Sequence, residues 1–289
     1  MSEPIFRGYD RAALDREYDN RAKVPDFADY LAHYRAASDA AKRQLPCRLD
    51  VPYGPTPAEA LDVFLPPAGR PAPVHVFIHG GYWMLLDKAD FSFVARALVP
   101  AGAAVAVINY GLIPSVDMDE LVRQCRASVA WVWRNAASFG GDPARITVSG
   151  HSAGGHLVAM LFATDWPTFA GVPADVIRAG CGISGLYDLE PIRLCYLNDT
   201  LKLTPEAAAR NSPIHVAPRA RAPLLLPVGA LEGPEYHRQT YHLAAAWGGR
   251  HVACDVLDLP GIHHFSIVSQ LEDPGSELSG AILGQMGLR

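Results

Sequence analysis

The hexapeptide Gly150-His151-Ser152-Ala153-Gly154-Gly155 constrains this 289-residue chain more than any other feature. The five residues before it, Arg145–Ser149, have the apolar, β-branched character of a buried strand, and those after it, Ala153–Ala163, read as a helix. Passing from strand to helix in so few residues forces the backbone into a sharp turn. Glycines at its flanks remove side chains that would collide across it. A serine at the centre of such a turn, with G-x-S-x-G spacing, is a nucleophile elbow. The helix that starts there offers unpaired N–H groups and the positive end of its dipole to an oxyanion.

Around this turn, strands and helices alternate. Residues 10–20 and 26–44 carry helical spacing (Tyr18, Phe27, Tyr30, Leu31, Tyr34) and form an N-terminal helical extension over 1–45. Two strands, Arg48–Val51 and Leu61–Leu65, flank the turn-forming Gly54-Pro55-Thr56-Pro57. Strand Val74–Ile78, a helix over Ala89–Val99, strand Ala103–Ile108 and a helix over Met118–Ala137 lead to the elbow. Beyond it come strands Val176–Ile183 and Pro223–Val228, helix Pro234–Trp247 and strand His251–Leu257. Apolar strands alternating with helices predict an α/β fold, a mostly parallel sheet with helices on both faces. Length alone, at roughly 150 residues per domain, admits two domains. With no repeat and no linker, residues 1–289 are expected to form one. The proline-rich stretch 184–222 reads as an excursion over one end of the sheet which, with the N-terminal helices, makes a small lid.

Composition narrows the classes. With 49% hydrophobic and 19% charged residues the chain is too apolar for disorder. A net charge of −5 carries no electrostatic footprint for nucleic acid. Cysteines at 47, 125, 181, 195 and 254 form no C-x-x-C pair, which predicts a reduced cytoplasmic protein without a disulfide framework or zinc site. The uncharged run Ala97–Val116 is long enough to raise a membrane span, but Pro100, Gly102, Asn109, Gly111 and Pro114 interrupt it. It reads as a helix end, a buried strand and a loop. The charged N-terminus has no secretory h-region. A soluble protein with no membrane partner is expected.

A serine nucleophile needs a base, an acid and oxyanion donors. The apolar strand Val74–Ile78 runs into His79-Gly80-Gly81-Tyr82-Trp83, whose glycines let loop N–H groups approach a reacting carbonyl. His79 precedes the serine in the chain and is expected to brace this loop. Tyr82 and Trp83 suit either the core or a substrate pocket. In the order that this chemistry uses, an acid and then a histidine follow the serine at strand ends. Glu232 lies just past Pro223–Val228, and Glu235, following Pro234, sits where a helix dipole explains it. Glu232 is preferred, and Asp258 is the weaker rival. Past the last strand stand His263 and His264; the apolar segment after His264 would dock on the core and fix it, so His264 is preferred. His156 reads as a packed side chain. His237 and His242 are five apart and do not share a helix face, so they do not suggest a metal site. Arg210, Arg219 and Arg221 read as solvated surface.

The segments HGGYW, LDKADFSF, VINYGLIP, SGHSAGGHL, GALEGPEYHRQT and LPGIHHFSIV, spread over most of residues 75–270, resemble the kynurenine formamidase (arylformamidase) branch of the α/β-hydrolases. The resemblance implies Ser152 as nucleophile, Glu232 as acid, and His264 as base. It also implies the N–H groups of Gly80, Gly81 and Ala153 as the oxyanion hole. The family acid is often aspartate, and family members often read HNHF where this chain reads IHHF, so His264 is the matching histidine. The implied activity is cleavage of an aryl formamide of the N-formylkynurenine type through a formyl-enzyme. Tyr82, Trp83, Tyr187 and Phe265 would form an aromatic substrate pocket. No metal or organic cofactor is implied, the partner is a small-molecule substrate, and a homodimer is compatible with the family. The same signatures occur in carboxylesterases acting on small esters. A non-catalytic receptor on this scaffold would normally lack one member of the triad, whereas candidates for all three are present here.

Overall fold

The computed structural model describes residues 3–250 and 252–288. Eight strands form one sheet: β1 (Cys47–Pro52), β2 (Ala60–Phe64), β3 (Ala72–Ile78), β4 (Ala104–Ile108), β5 (Gly141–His151), β6 (Ile177–Ile183), β7 (Leu224–Gly229) and β8 (Cys254–Leu259). Their spatial order is β1-β2-β4-β3-β5-β6-β7-β8. β2 runs antiparallel to both of its neighbours, β1 and β4, and every pairing from β4 through to β8 is parallel. This is the α/β-hydrolase fold.

The helices are α1 (Arg11–Tyr18), α2 (Asn20–Lys23), α3 (Phe27–Gln44), α4 (Ala95–Leu98), α5 (Met118–Asn135), α6 (Ala153–Phe162), α7 (Trp166–Ala170), α8 (Glu190–Leu194), α9 (Asn198–Leu201), α10 (Pro205–Arg210), α11 (Pro234–Gly248), α12 (Ser266–Ser269) and α13 (Glu277–Met286). Side chains alternate across a strand, and here both faces are apolar. Val74, Val76 and Ile78 of β3 join Ala104, Ala106 and Ile108 of β4 on one face, where Leu121 of α5 and Leu157 of α6 cover them, while α11 packs on β7 and β8. Phe77, Val105 and Val107 point the other way, against Tyr34 of α3, Leu98 of α4 and Ile282 of α13. A strand that is covered on both sides has no solvent face to make polar. That explains the near-continuous apolar runs in the sequence.

The uncharged run Ala97–Val116 resolves into the end of α4, strand β4 and a loop. Among the described residues no helix is long and apolar enough to cross a membrane.

Most element ends differ from the expectations by a few residues, β5 running Gly141–His151 rather than Arg145–Ser149, and three differences have a clear cause. The helix expected over Ala89–Val99 is two 3₁₀ turns, Lys88–Asp90 and Ser92–Val94, before the single turn of α4. Tertiary anchors override propensity there. Lys88 Nζ is held by Asp50 (2.6 Å) and Asp62 (2.8 Å), and Phe91 and Phe93 are both drawn into the core. The strand expected over His251–Leu257 runs from Cys254 to Leu259, because its ladder with β7 pairs Leu224 with Cys254 and Gly229 with Leu259. His251 lies outside the described residues. The helix α7, which sequence periodicity does not announce, begins with Asp165 capping Thr168 N and Pro167 in its first turn.

Several buried histidines make stability depend on pH. His75 on β3 bonds Thr147 Oγ1 (2.9 Å) and Ser149 Oγ (2.7 Å) on the adjacent β5, and burial pushes its pKa down to about 3. His156 on α6 accepts from Trp83 Nε1 (3.1 Å) and donates to the Asn211 carbonyl (2.8 Å); burial, partly offset by that last bond, pushes it down to about 4. Both histidines titrate near 6.5 in the unfolded chain, so below that pH the unfolded state binds more protons and stability falls with pH. The slope is up to about 1.4 kcal/mol per pH unit for each histidine, between about pH 6.5 and its folded pKa. Denaturant titrations at pH 7, 6 and 5 are expected to show this slope, and His156→Gln, which preserves both hydrogen bonds, is expected to flatten it. An unchanged slope in that variant would contradict the assignment.

Candidate active site

Between β5 and α6, Ser152 adopts φ 58° and ψ −117°, a conformation that side chains other than glycine rarely take. Its glycine neighbours are sterically obligatory. A Cβ on Gly150 would lie 2.3 Å from the Gly154 carbonyl oxygen, and one on Gly154 would lie 2.0 Å from the Ile78 oxygen. The elbow is therefore wedged against the end of β3, where the His79-Gly80-Gly81 loop begins. Gly81 has φ +108°, and a Cβ there would come within 2.1 Å of the Leu85 oxygen. His79 braces this loop: its Nδ1 lies 2.7 Å from the Gly80 carbonyl and its Nε2 3.1 Å from Asn109 Oδ1, one of them donating in the neutral ring, and the ring stacks on Tyr110 at 4.4 Å. The N–H groups of Gly80, Gly81 and Ala153 donate to no described residue.

The acid and histidine candidates meet at the ends of β7 and β8. His264 Nδ1 lies 2.7 Å from Glu232 Oε2. A carboxylate only accepts, so Nδ1 carries a proton, and in the neutral ring Nε2 is the nitrogen with the lone pair. The other oxygen of Glu232 accepts from Gly229 N–H (2.8 Å) and from the Ser184 hydroxyl (2.5 Å). The two strand-end loops are also tied together directly, Leu231 N–H donating to the Ile262 carbonyl at 3.0 Å. The rival groups are engaged elsewhere. Glu235 pairs with Arg238 (2.8 Å) and accepts from Tyr18 Oη (2.9 Å). Asp258 accepts from Tyr241 Oη and faces His237. His263 Nδ1 accepts from Phe265 and Ser266 N–H at the start of α12, and its ring packs edge-on against Tyr30.

Ser152 and His264 line the same cavity, about 310 Å³ in volume, which also takes in Gly81, Tyr82 and Phe265. No hydrogen bond joins Ser152 Oγ to His264 among the described residues; such contacts commonly tighten only with substrate bound. Two of the four aromatics expected around the substrate lie elsewhere. Trp83 is fully buried, its indole N–H committed to His156, and Tyr187 is fully buried with its hydroxyl on the Gly182 carbonyl. Both were drawn inward because the core behind the elbow supplies a hydrogen-bond partner for their polar ends. Tyr34, Phe91 and Tyr196 stand in the cavity wall instead.

Four further residues, His151, Ser184, Tyr236 and Asn20, surround these groups. His151, beside the serine, donates Nε2–H to the His264 carbonyl at 2.9 Å, and burial, reinforced by the neighbouring His264 ring, holds its pKa well below the ordinary histidine value. Ser184 directly follows β6, a strand-end position that could have flagged it. Tyr236 packs its ring 4.7 Å from that of His264, and its hydroxyl bonds Tyr82 Oη (2.8 Å) and Asn20 Nδ2 (2.7 Å). No motif announces Asn20, because its partners lie 62 and 216 residues away. Among the described residues no group of three or more His, Cys, Asp or Glu side chains is placed to hold a metal ion.

Residues 61–168 match the BD-FAE family. The kynurenine formamidase of Danio rerio is 35% identical over 266 residues, covering 89% of this chain and 88% of that protein. That of Salmo salar is 35% identical over 248 residues, covering 83% and 82%. The crystal structure of a candidate thioesterase from Silicibacter sp. TM1040 superimposes with a TM-score of 0.83 at 34% identity, over 93% of this chain and 98% of that one. Similarity at this level, over nearly the whole length of each partner and on an intact elbow, makes this an esterase-type α/β-hydrolase enzyme acting on small substrates, and the chain belongs to the kynurenine formamidase family.

Proposed function

We propose that this enzyme hydrolyses aryl formamides of the N-formylkynurenine type through a formyl-enzyme, with Ser152 as nucleophile, His264 as base and Glu232 as acid. The observation that carries the reading is the His264–Glu232 pair, whose proton-bearing Nδ1 leaves Nε2 free beside a cavity that Ser152 also lines.

In the first half-reaction Ser152 Oγ attacks the formyl carbon while His264 Nε2 takes its proton. The carbonyl electrons move to oxygen, and the oxyanion is held by the N–H groups of Gly80, Gly81 and Ala153. Collapse expels the aryl nitrogen, which receives the proton from His264, leaving a formyl ester on Ser152. Water, deprotonated by His264, then attacks that ester, and its collapse releases formate and returns the proton to Ser152. An aryl amine is a better leaving group than an alkyl amine, and the cavity walls of Tyr34, Tyr82, Phe91, Tyr196 and Phe265 suit an aromatic body. Tyr196 and Leu197 come from the 184–222 excursion and Asn20 from the N-terminal helices, which supports their reading as a cover on one catalytic unit.

A second reading, a carboxylesterase for small acyl or aryl esters, is supported by the 34% identity to the candidate thioesterase from Silicibacter sp. TM1040. Comparing kcat/KM for N-formyl-L-kynurenine with a p-nitrophenyl ester series separates the two. The formamide is expected to be the better substrate; negligible turnover of it beside efficient ester cleavage would replace the formamidase reading with the esterase one.

A further inference from the structure

The cavity that Ser152 and His264 line is mostly apolar and aromatic, but Asp19 and Arg21 put two opposite formal charges into its wall. They flank Asn20, which is buried and donates Nδ2–H to both Tyr236 Oη (2.7 Å) and Tyr82 Oη (3.1 Å). Anchoring the central residue fixes the segment and presents both neighbours to the cavity. Asp19 Oδ1 caps α2 by accepting from Ala22 N–H at 3.1 Å, while Oδ2 accepts from no described residue. The Arg21 guanidinium lies 5.5 Å from the centre of the Phe27 ring and forms no ion pair among the described residues. The two charges also do not neutralise each other, so each retains capacity for a ligand. Tyr196, another wall residue, feels both: its pKa is pushed up to about 12, first by burial and next by Asp19, with Arg21 acting in the opposite direction.

We propose that Asp19 and Arg21 form a recognition site for the zwitterionic head of an α-amino acid substrate, its ammonium on Asp19 and its carboxylate on Arg21. The inference rests on the formamidase reading and adds to it: the aromatic wall takes the aryl formamide, and the charged pair selects substrates that carry an α-amino acid head. Arginine is suited to the carboxylate because its planar fork can donate two parallel N–H groups. Aspartate, with one oxygen already committed to the helix, leaves the other for an ammonium.

Four substrates test this: N-formyl-L-kynurenine, its analogue without the carboxylate, its analogue without the ammonium, and the ring-substituted aryl formamide 2′-formamidoacetophenone, which has neither. Arg21→Gln is expected to raise KM about tenfold or more, with kcat little changed, only for the two substrates that carry the carboxylate, the loss expected of one hydrogen bond to a charged group. Asp19→Asn, which keeps the helix cap, is expected to do the same only for the two substrates that carry the ammonium. Equal losses on all four would mean a structural role and overturn the proposal, as would no loss on any. If wild-type enzyme cleaves 2′-formamidoacetophenone as efficiently as N-formyl-L-kynurenine, the charged pair reads nothing and the proposal fails while the formamidase reading stands. If none of the four formamides is cleaved and esters are, both fall.

Discussion

Removing the Ser152 hydroxyl is expected to lower kcat by about 10⁶-fold on both formamides and esters, the order found when a serine nucleophile is lost. The residual rate would come from the oxyanion donors and from binding alone. Ser152→Ala meets no new contact, since it only deletes Oγ, so the fold should survive with substrate KM close to wild type. Ser152→Gly provides a control for the backbone: at φ 58° and ψ −117° glycine relieves strain of about 1–3 kcal/mol, so this variant should be more stable than Ser152→Ala yet equally inactive. Steady-state kinetics and denaturant melts check both halves. Retained hydrolysis in either variant would remove Ser152 from the mechanism.

The second large effect is expected at Glu232. Glu232→Gln should lower kcat by about 10⁴-fold, because an amide facing His264 Nδ1 can donate to it and stabilise the wrong imidazole tautomer, with the proton on Nε2. The Gly229 N–H and Ser184 hydroxyl, which now converge on Oε1, would still donate to the amide carbonyl oxygen there, so the loop should keep its place. Glu235→Gln is the contrasting variant. Its carboxylate is nearly fully buried against Arg238 and Tyr18, and losing that charge is expected to cost about 1–3 kcal/mol of stability with activity largely intact. Arg238 retains Asp188 at 3.1 Å, which limits the damage. An inactive Glu235→Gln beside an active Glu232→Gln would reverse the roles.

The arrangement of the strands was largely legible because its signals are local. A doubly covered strand has to be apolar throughout, so β3 and β4 stand out without reference to anything else in the chain. The elbow was legible for a related reason: the closest contacts of Gly150 are with Gly154, four residues on, so the constraint is written in the motif itself. The aromatics were the less legible part. Tyr82 and Trp83 are adjacent, yet one lines the cavity and the other lies in the core. Each finds a hydrogen-bond partner, but in different places: His156, 73 residues on, holds Trp83, while Tyr236 and Asn20 hold Tyr82. The same holds for Tyr34, a plain core position by helical spacing, which the packing of α3 brings to the cavity wall.

By itself the sequence determined the α/β alternation, the elbow and the chain order of serine, acid and histidine, since these depend on side-chain period and on backbone sterics over a few residues. The sequence could only prefer Glu232 over Glu235, from its place just past the strand; the tertiary structure decided which carboxylate faces which histidine, by bringing His264 and Ser184 to Glu232 and Tyr18 to Glu235. It also decided that the N-terminal helices build a wall of the cavity. The contact between Asn20 and Tyr236 spans 216 residues, and a hydrogen bond formed at that separation leaves no periodic trace in the sequence around either end.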